Sequence, residues 1–118
     1  IVEIATVNGS MVQSIITHGS LEQLGLTTGK LIRAEVKAPW VLLAKGAQEP
    51  ACTAENRFSG TIERISTGQI NSEYSIRLDE GTELCAIGGS GSGEVLGLQA
   101  GDRVWAFFSC YAVILHVD

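Results

Sequence analysis

Residues 20–29 read SLEQLGLTTG and residues 92–101 read SGEVLGLQAG. The leading serine, the glutamate, the Leu-Gly-Leu triplet and the closing glycine recur at a constant offset of 72. Working outward at that offset, residues 1–46 and 73–118 align without a gap and share 13 identities, including Gly9/Gly81 and Val41/Val113. Chance agreement at ordinary composition is about 3. The chain is therefore read as a tandem duplication, and the fold must be a small unit built twice.

Each copy reads as short strands around one helical turn. Ile1 to Val7 and Met11 to Ile16 are rich in strand formers and flank Asn8-Gly9, a hairpin turn that Asp79-Glu80-Gly81 repeats in the second copy. Ser20-Leu21-Glu22-Gln23 fits a capping box, with Ser20 opening a helix that Gly25 stops after about one turn. Leu31 to Val36 and Trp40 to Leu43 are predicted strands, interrupted at Pro39, which cannot donate a ladder hydrogen bond. Val104 to Phe108 and Ala112 to Val117 are their counterparts.

Residues 56–65, NRFSGTIERI, head the second copy as a further strand, with Gly60 marking a bulge or sharp bend. The offset places the counterpart of this strand ahead of Ile1, so the first unit lacks its opening strand and leaves a sheet edge unpaired. The expectation is either a fragment cut from a longer protein or a strand borrowed from a neighbouring chain. About five short strands and one helical turn in roughly 63 residues suit a small OB-like barrel. The fold class is thus all-β, tandem OB-like small barrels each with one short helix. The first unit is 1–46 and N-terminally incomplete, 47–55 is the linker and 56–118 is the second unit.

Composition narrows the function. The net charge is -5 and no block of Lys or Arg occurs, so these 118 residues lack the footprint of a nucleic-acid binder. No apolar run approaches the roughly 18 residues of a bilayer span, and no signal-peptide pattern opens the chain, which makes no membrane and a cytoplasmic location the expectation. Cys52, Cys85 and Cys110 are spaced for neither a disulfide framework nor zinc, and are read as buried reduced thiols; His18 and His116 have no ligand-spaced partner. Gly88 to Gly93, GGSGSG, fails both the Walker and the dinucleotide-fold tests and is read as a flexible strand-to-turn loop. No nucleophile elbow or catalytic cysteine setting is present, so an enzyme is not expected.

What remains is Thr17, Ser20 and Lys37. A strand-end hydroxyl, a hydroxyl at a helix start with its free N–H groups, and an ammonium before an Ala-Pro kink make a cluster of donors suited to an oxyanion. Taken singly, each also has a bland reading as strand end, helix cap or snorkelling surface side chain.

The stretch LGLTTGKLIRAEVKAPWVLLA, residues 24–44, resembles the Mop (TOBE-type) molybdate-binding domain, here duplicated as a di-Mop unit. Its Lys37-Ala38-Pro39-Trp40-Val41 is most similar to the C-terminal sensor half of bacterial molybdate-responsive transcriptional regulators. The resemblance implies OB-like barrels that bind molybdate or tungstate where subunits meet, with Thr17, Ser20 and Lys37 as oxyanion ligands. It implies a homodimer or higher homo-oligomer, and DNA contact only through a helix-turn-helix segment outside this chain. In the second copy Ser92 persists, but Ser109 replaces Lys37 and Gly89 replaces Thr17. Thr53-Ala54-Glu55 also stands where the family carries Ser-Ala-Arg. Ser92 and Ser109 are thus the weaker second-copy candidates, because a dianion beside Glu55 without a cation is costly. A free-standing molbindin that stores molybdate is the alternative to a sensor, and the regulatory tail of a molybdate-importer ATPase is a more distant third.

Overall fold

The computed structural model describes residues 2–6 and 8–117. The first repeat supplies β1 (Val2–Ala5), β2 (Met11–Ser14), helix α1 (His18–Gln23), β3 (Arg33–Val36), a single 3-10 turn η1 (Ala38–Trp40) and β4 (Leu42–Lys45). The second supplies β5 (Asn56–Thr67), β6 (Asn71–Leu78), β7 (Glu83–Gly89), helix α2 (Ser90–Leu96), β8 (Arg103–Phe108), turn η2 (Cys110–Ala112) and β9 (Val113–His116). The mostly-β reading and the duplication both hold.

Connectivity between the repeats is the decisive feature. One five-stranded antiparallel sheet runs β4-β8-β5-β6-β7, so the last strand of the first repeat closes the sheet of the second. Reciprocally, β9 pairs with β3, Arg33 opposite His116 and Val36 opposite Val113, so the last strand of the second repeat belongs to the first. The β1–β2 hairpin forms a separate two-stranded sheet. One core therefore serves both repeats, with Val41 buried beside Ile62, Ile76, Val104, Ala106 and Val113. At about 25 cal/mol per Å² of apolar surface, sharing strands lets two small units bury what neither could alone.

The turns follow the expected chemistry. Gly9 and Gly81, both at positive φ, close the two hairpins with Thr6 N–H donating to Ser10 O and Leu78 N–H to Thr82 O. The ends of the first predicted strand, Ile1 and Val7, lie outside the described residues.

Four local expectations are corrected. Ser20 does not open α1: Thr17 is the N-cap, because its Oγ1 accepts from Ser20 N–H at 3.1 Å, and Ser20 is the third helical residue. The GGSGSG run is no loop. Gly88 and Gly89 end β7 and Ser90 starts α2, pinned by its N–H to Ile70 O and by its buried hydroxyl to Gly68 O. Gly93 then lies beneath the Tyr74 hydroxyl, which a Cβ would force to shift.

The bulge lies between Ile62 and Arg64 rather than at Gly60. Gly60 instead permits close strand approach, since a Cβ there would sit 2.6 Å from Arg77 O and 2.9 Å from Ile76 Cγ2. Trp40 belongs to the 3-10 turn, not to a strand. Pro39 presets that turn, Trp40 N–H donates to Lys37 O, and the strand resumes at Leu42.

Candidate functional site

Thr17 sits in extended conformation at the exposed start of α1, where β2 hands the chain to the helix. Its hydroxyl donates to Ser20 Oγ at 3.0 Å while accepting the Ser20 N–H, and Leu21 N–H bonds Thr17 O. The two predicted hydroxyls are thus held together at a helix mouth, whose first N–H groups have no intrahelical acceptor. Amides at the helix start and hydroxyls that can turn outward to donate together suit an anion.

Lys37 is placed elsewhere. It precedes η1, exposed, and η1 packs against β7 of the other repeat. Among the described residues no hydrogen bond or ion pair joins Lys37 to Thr17 or Ser20. The residues that follow it, Val41 to Leu43, line a hollow with Gly89 and Ser92. Strand exchange therefore sets the turn that follows Lys37 against β7 of the second repeat.

The mirror arrangement holds for Ser109. Its turn η2 packs on β2, and Cys110 O accepts from Ile15 N–H at 3.3 Å, two residues before Thr17. An anion already occupies the amides of that turn: Glu55 Oε1 accepts from Cys110 N–H at 3.0 Å. Hydrogen bonds from Cys110, its thiol first and then its N–H, hold the Glu55 carboxyl below its ordinary value, with Ser109 adding to them. The same contact and, above all, burial push the Cys110 thiol up, so it is an inert buried thiol. Cys52 is half-buried and Cys85 is exposed, so the expectation of buried thiols holds for one of the three.

Ser92 lies exposed on α2, but the cap residue before it is Gly89, which contributes no side-chain oxygen. The buried hydroxyl pair nearby, Ser72 with Ser90 at 2.9 Å, escaped the sequence reading. The offset matches Ser90 to His18 and so gave no signal. Nor could local pattern have revealed Asn56, which is 1% exposed and clamps the backbone of Gln13 in the first repeat through both side-chain atoms. Among the described residues no group of three or more His, Cys, Asp or Glu is arranged to hold a metal ion, and no helix is long and apolar enough to cross a membrane.

A duplicated β unit with exchanged final strands and a hydroxyl-capped helix mouth defines a tandem small-β module. The TOBE domain model matches residues 1–43 and 53–115, and the chain belongs to that family. It is 32% identical over 114 residues to the molybdenum-pterin-binding protein MopA of Rhodobacter capsulatus, covering 97% of this chain and 43% of MopA. It is 35% identical over 100 residues to the DNA-binding transcriptional dual regulator ModE of Escherichia coli (strain K12), covering 85% of this chain and 37% of ModE. The chain thus spans less than half the length of these curated relatives. Among solved structures it is similar to the cytoplasmic molybdate-binding protein ModG with molybdate bound. The TM-score is 0.91 at 34% identity, over 98% of this chain and 82% of that one.

Proposed function

We propose that this chain binds molybdate, or tungstate, as the ligand-sensing domain of a molybdenum-dependent transcriptional regulator in the cytoplasm. The site is built on Thr17 and Ser20 and completed by Lys37 at a seam between copies. The observation that carries it is the Thr17–Ser20 hydroxyl pair, 3.0 Å apart at an exposed helix mouth, in a fold that matches a molybdate-bound protein at a TM-score of 0.91. The divided placement of the donors supports the seam. Because η1 carries Lys37 to the other repeat, the lysine that neutralises an ion at Thr17 comes from a second molecule. An ammonium and a dianion desolvated together then link ligand binding to assembly.

A donor-rich pocket bears on selectivity. Fully deprotonated molybdate, tungstate and sulfate can accept from every donor, whereas hydrogen phosphate must turn a hydroxyl away from donating so that its oxygen accepts the phosphate proton. Sulfate must then be rejected by size. The second repeat binds weakly: Gly89 offers no hydroxyl, Ser109 no charge, and Glu55 already holds the η2 amide.

Storage is the second reading. The chain is similar over 98% of its length to ModG, described as a cytoplasmic molybdate-binding protein. Isothermal titration of the whole chain with molybdate, tungstate, sulfate and phosphate tests the proposal. Lys37→Ala is expected to lose most molybdate affinity with the barrels still folded, since Lys37 is exposed and enters no ion pair among the described residues. Unchanged affinity removes Lys37 from the site. A sensor dimer is expected to take about one oxyanion per chain and a store more.

A further inference from the structure

We infer that the second repeat holds a ligand site separate from the Thr17–Ser20 mouth: a hollow between its sheet and α2 that takes one neutral, ring-sized molecule bearing a hydroxyl or N–H group. The hollow measures about 320 Å³ and is walled by Val41, Leu43, Ala86, Leu98 and Phe107, with Tyr74, Gly88 and Gly93 completing it. Leu42 and Leu96, both exposed, stand at its rim.

Its origin lies in a difference between the repeats. The offset of 72 sets Gly88 against Ile16, Gly93 against Leu21 and Tyr74 against Val2. Ile16 packs against the shared core. Gly88 pairs with Ser72 and stands two residues from Ala86, both buried, so a side chain there would point inward. A Cβ at Gly88 would nevertheless meet nothing within 4 Å. The second repeat thus lacks two aliphatic side chains that the first has. The Tyr74 hydroxyl takes up the space at Gly93 and leaves the space at Gly88 empty.

A polar group aimed into this space specifies the ligand. Tyr74 is only 5% exposed. The hydroxyls beside it on β6 are paired, Ser72 with Ser90 and Ser75 with Glu83, whereas the Tyr74 hydroxyl has no hydrogen-bond partner among the described residues. A buried hydroxyl left unpaired is costly, and a ligand hydroxyl or N–H supplies the missing bond. No charged side chain among the described residues lines the hollow, so an ion would be desolvated there without a counter-charge. A cavity of about 150 Å³ holds benzene, so this one has room for one or two fused rings. The inference is independent of the oxyanion reading, because a dianion is excluded from such a wall.

The test titrates the whole chain with phenol and, separately, with benzene, followed by two-dimensional amide NMR. Saturable one-to-one binding of phenol is expected, with a Kd on the order of 1 mM and shifts centred on Gly88, Gly89 and Gly93 rather than on α1. Gly88→Ile, which gives the second repeat the side chain of the first, should weaken phenol about tenfold or more. Tyr74→Phe should weaken phenol about fivefold and leave benzene unchanged. It keeps the ring, and so keeps the test decisive if Gly88→Ile is unstable. No saturable shift, shifts away from α2, equal phenol binding by Tyr74→Phe, or undiminished binding by a folded Gly88→Ile overturns the proposal.

Discussion

Removing the Asn56 side chain should unfold both repeats together. Asn56 Oδ1 accepts from Gln13 N–H at 2.7 Å and its Nδ2 donates to Gln13 O at 3.0 Å, so one buried amide satisfies both backbone groups of a strand in the other repeat. Deleting it removes two hydrogen bonds of about 1 kcal/mol each and leaves a Gln13 N–H without its partner, a total of about 2–3 kcal/mol. With an unfolding entropy of about 2.1 cal/mol/K per residue over this length, Asn56→Ala should lower Tm by about 8–12 °C. Trp40 reports from η1 and Trp105 from β8, so calorimetry with tryptophan fluorescence measures both size and cooperativity. Asn56→Asp is the control. Its ionised carboxylate turns an oxygen toward Gln13 O, so the loss should persist at neutral pH and shrink as acid supplies the missing proton. A stability change below about 0.5 kcal/mol for Asn56→Ala would refute the clamp, that being the range of an ordinary surface substitution. So would separate melting of two domains in the parent chain.

Three further outcomes follow from the geometry. Asp79 is lowered to about 2, first by the hydrogen bonds of Arg103 and then by Ser59, and a depressed carboxyl stabilises only while ionised. The stability difference between the parent and Asp79→Asn should therefore be present above pH 4 and vanish as pH falls toward 2; a constant difference across that window in urea titrations would show that the pair contributes nothing. Gly60→Ala should cost about 1–3 kcal/mol, because backbone rather than a movable side chain stands in the way; chemical denaturation showing no loss would mean that β5 and β6 separate freely. Ser109→Ala should leave molybdate affinity within about threefold, less than 1 kcal/mol, and a loss comparable to that of Lys37→Ala in the same titration would reassign the second repeat as a full site.

Legibility in the sequence tracked the range of the interaction. The hairpins at Gly9 and Gly81 and the strands flanking them were readable because turn residues act within four positions. Capping was harder. Thr17 and Ser20 both suit an N-cap, and what decided between them was which oxygen faced the Ser20 N–H, a matter of backbone angle that letters do not carry. The glycine run misled because Gly93 reads as freedom, when it sits in a helix under the Tyr74 hydroxyl, where a larger side chain would displace that ring. The exchange of β4 and β9 left no local trace, since the same alternation suits a strand in either sheet. Sequence could therefore single out Thr17, Ser20 and Lys37 as candidates without revealing that the turn following Lys37 packs on the other repeat.

That exchange accounts for an imbalance between the repeats that is otherwise hard to rationalise. Under the proposed function, the second copy lacks the donors of the first: Gly89 stands for Thr17, Ser109 for Lys37, and the Glu55 carboxylate accepts from Cys110 N–H. It cannot be dispensed with, because β9 is the partner of β3 and β8 the partner of β4. Stripping either would expose a strand edge of the half that keeps Thr17 and Ser20, an aggregation hazard as well as a loss of packing. On the proposed reading, one repeat is held for its hydrogen-bonding edge and the other for its charge. An ion bound at a seam between copies would then add its own increment, RT ln(1 + [L]/Kd), to the stability of the joined state alone. The occupied form gains most where Lys37 and the Thr17 mouth come from different molecules, because only the assembled protein can then report that the ligand is present.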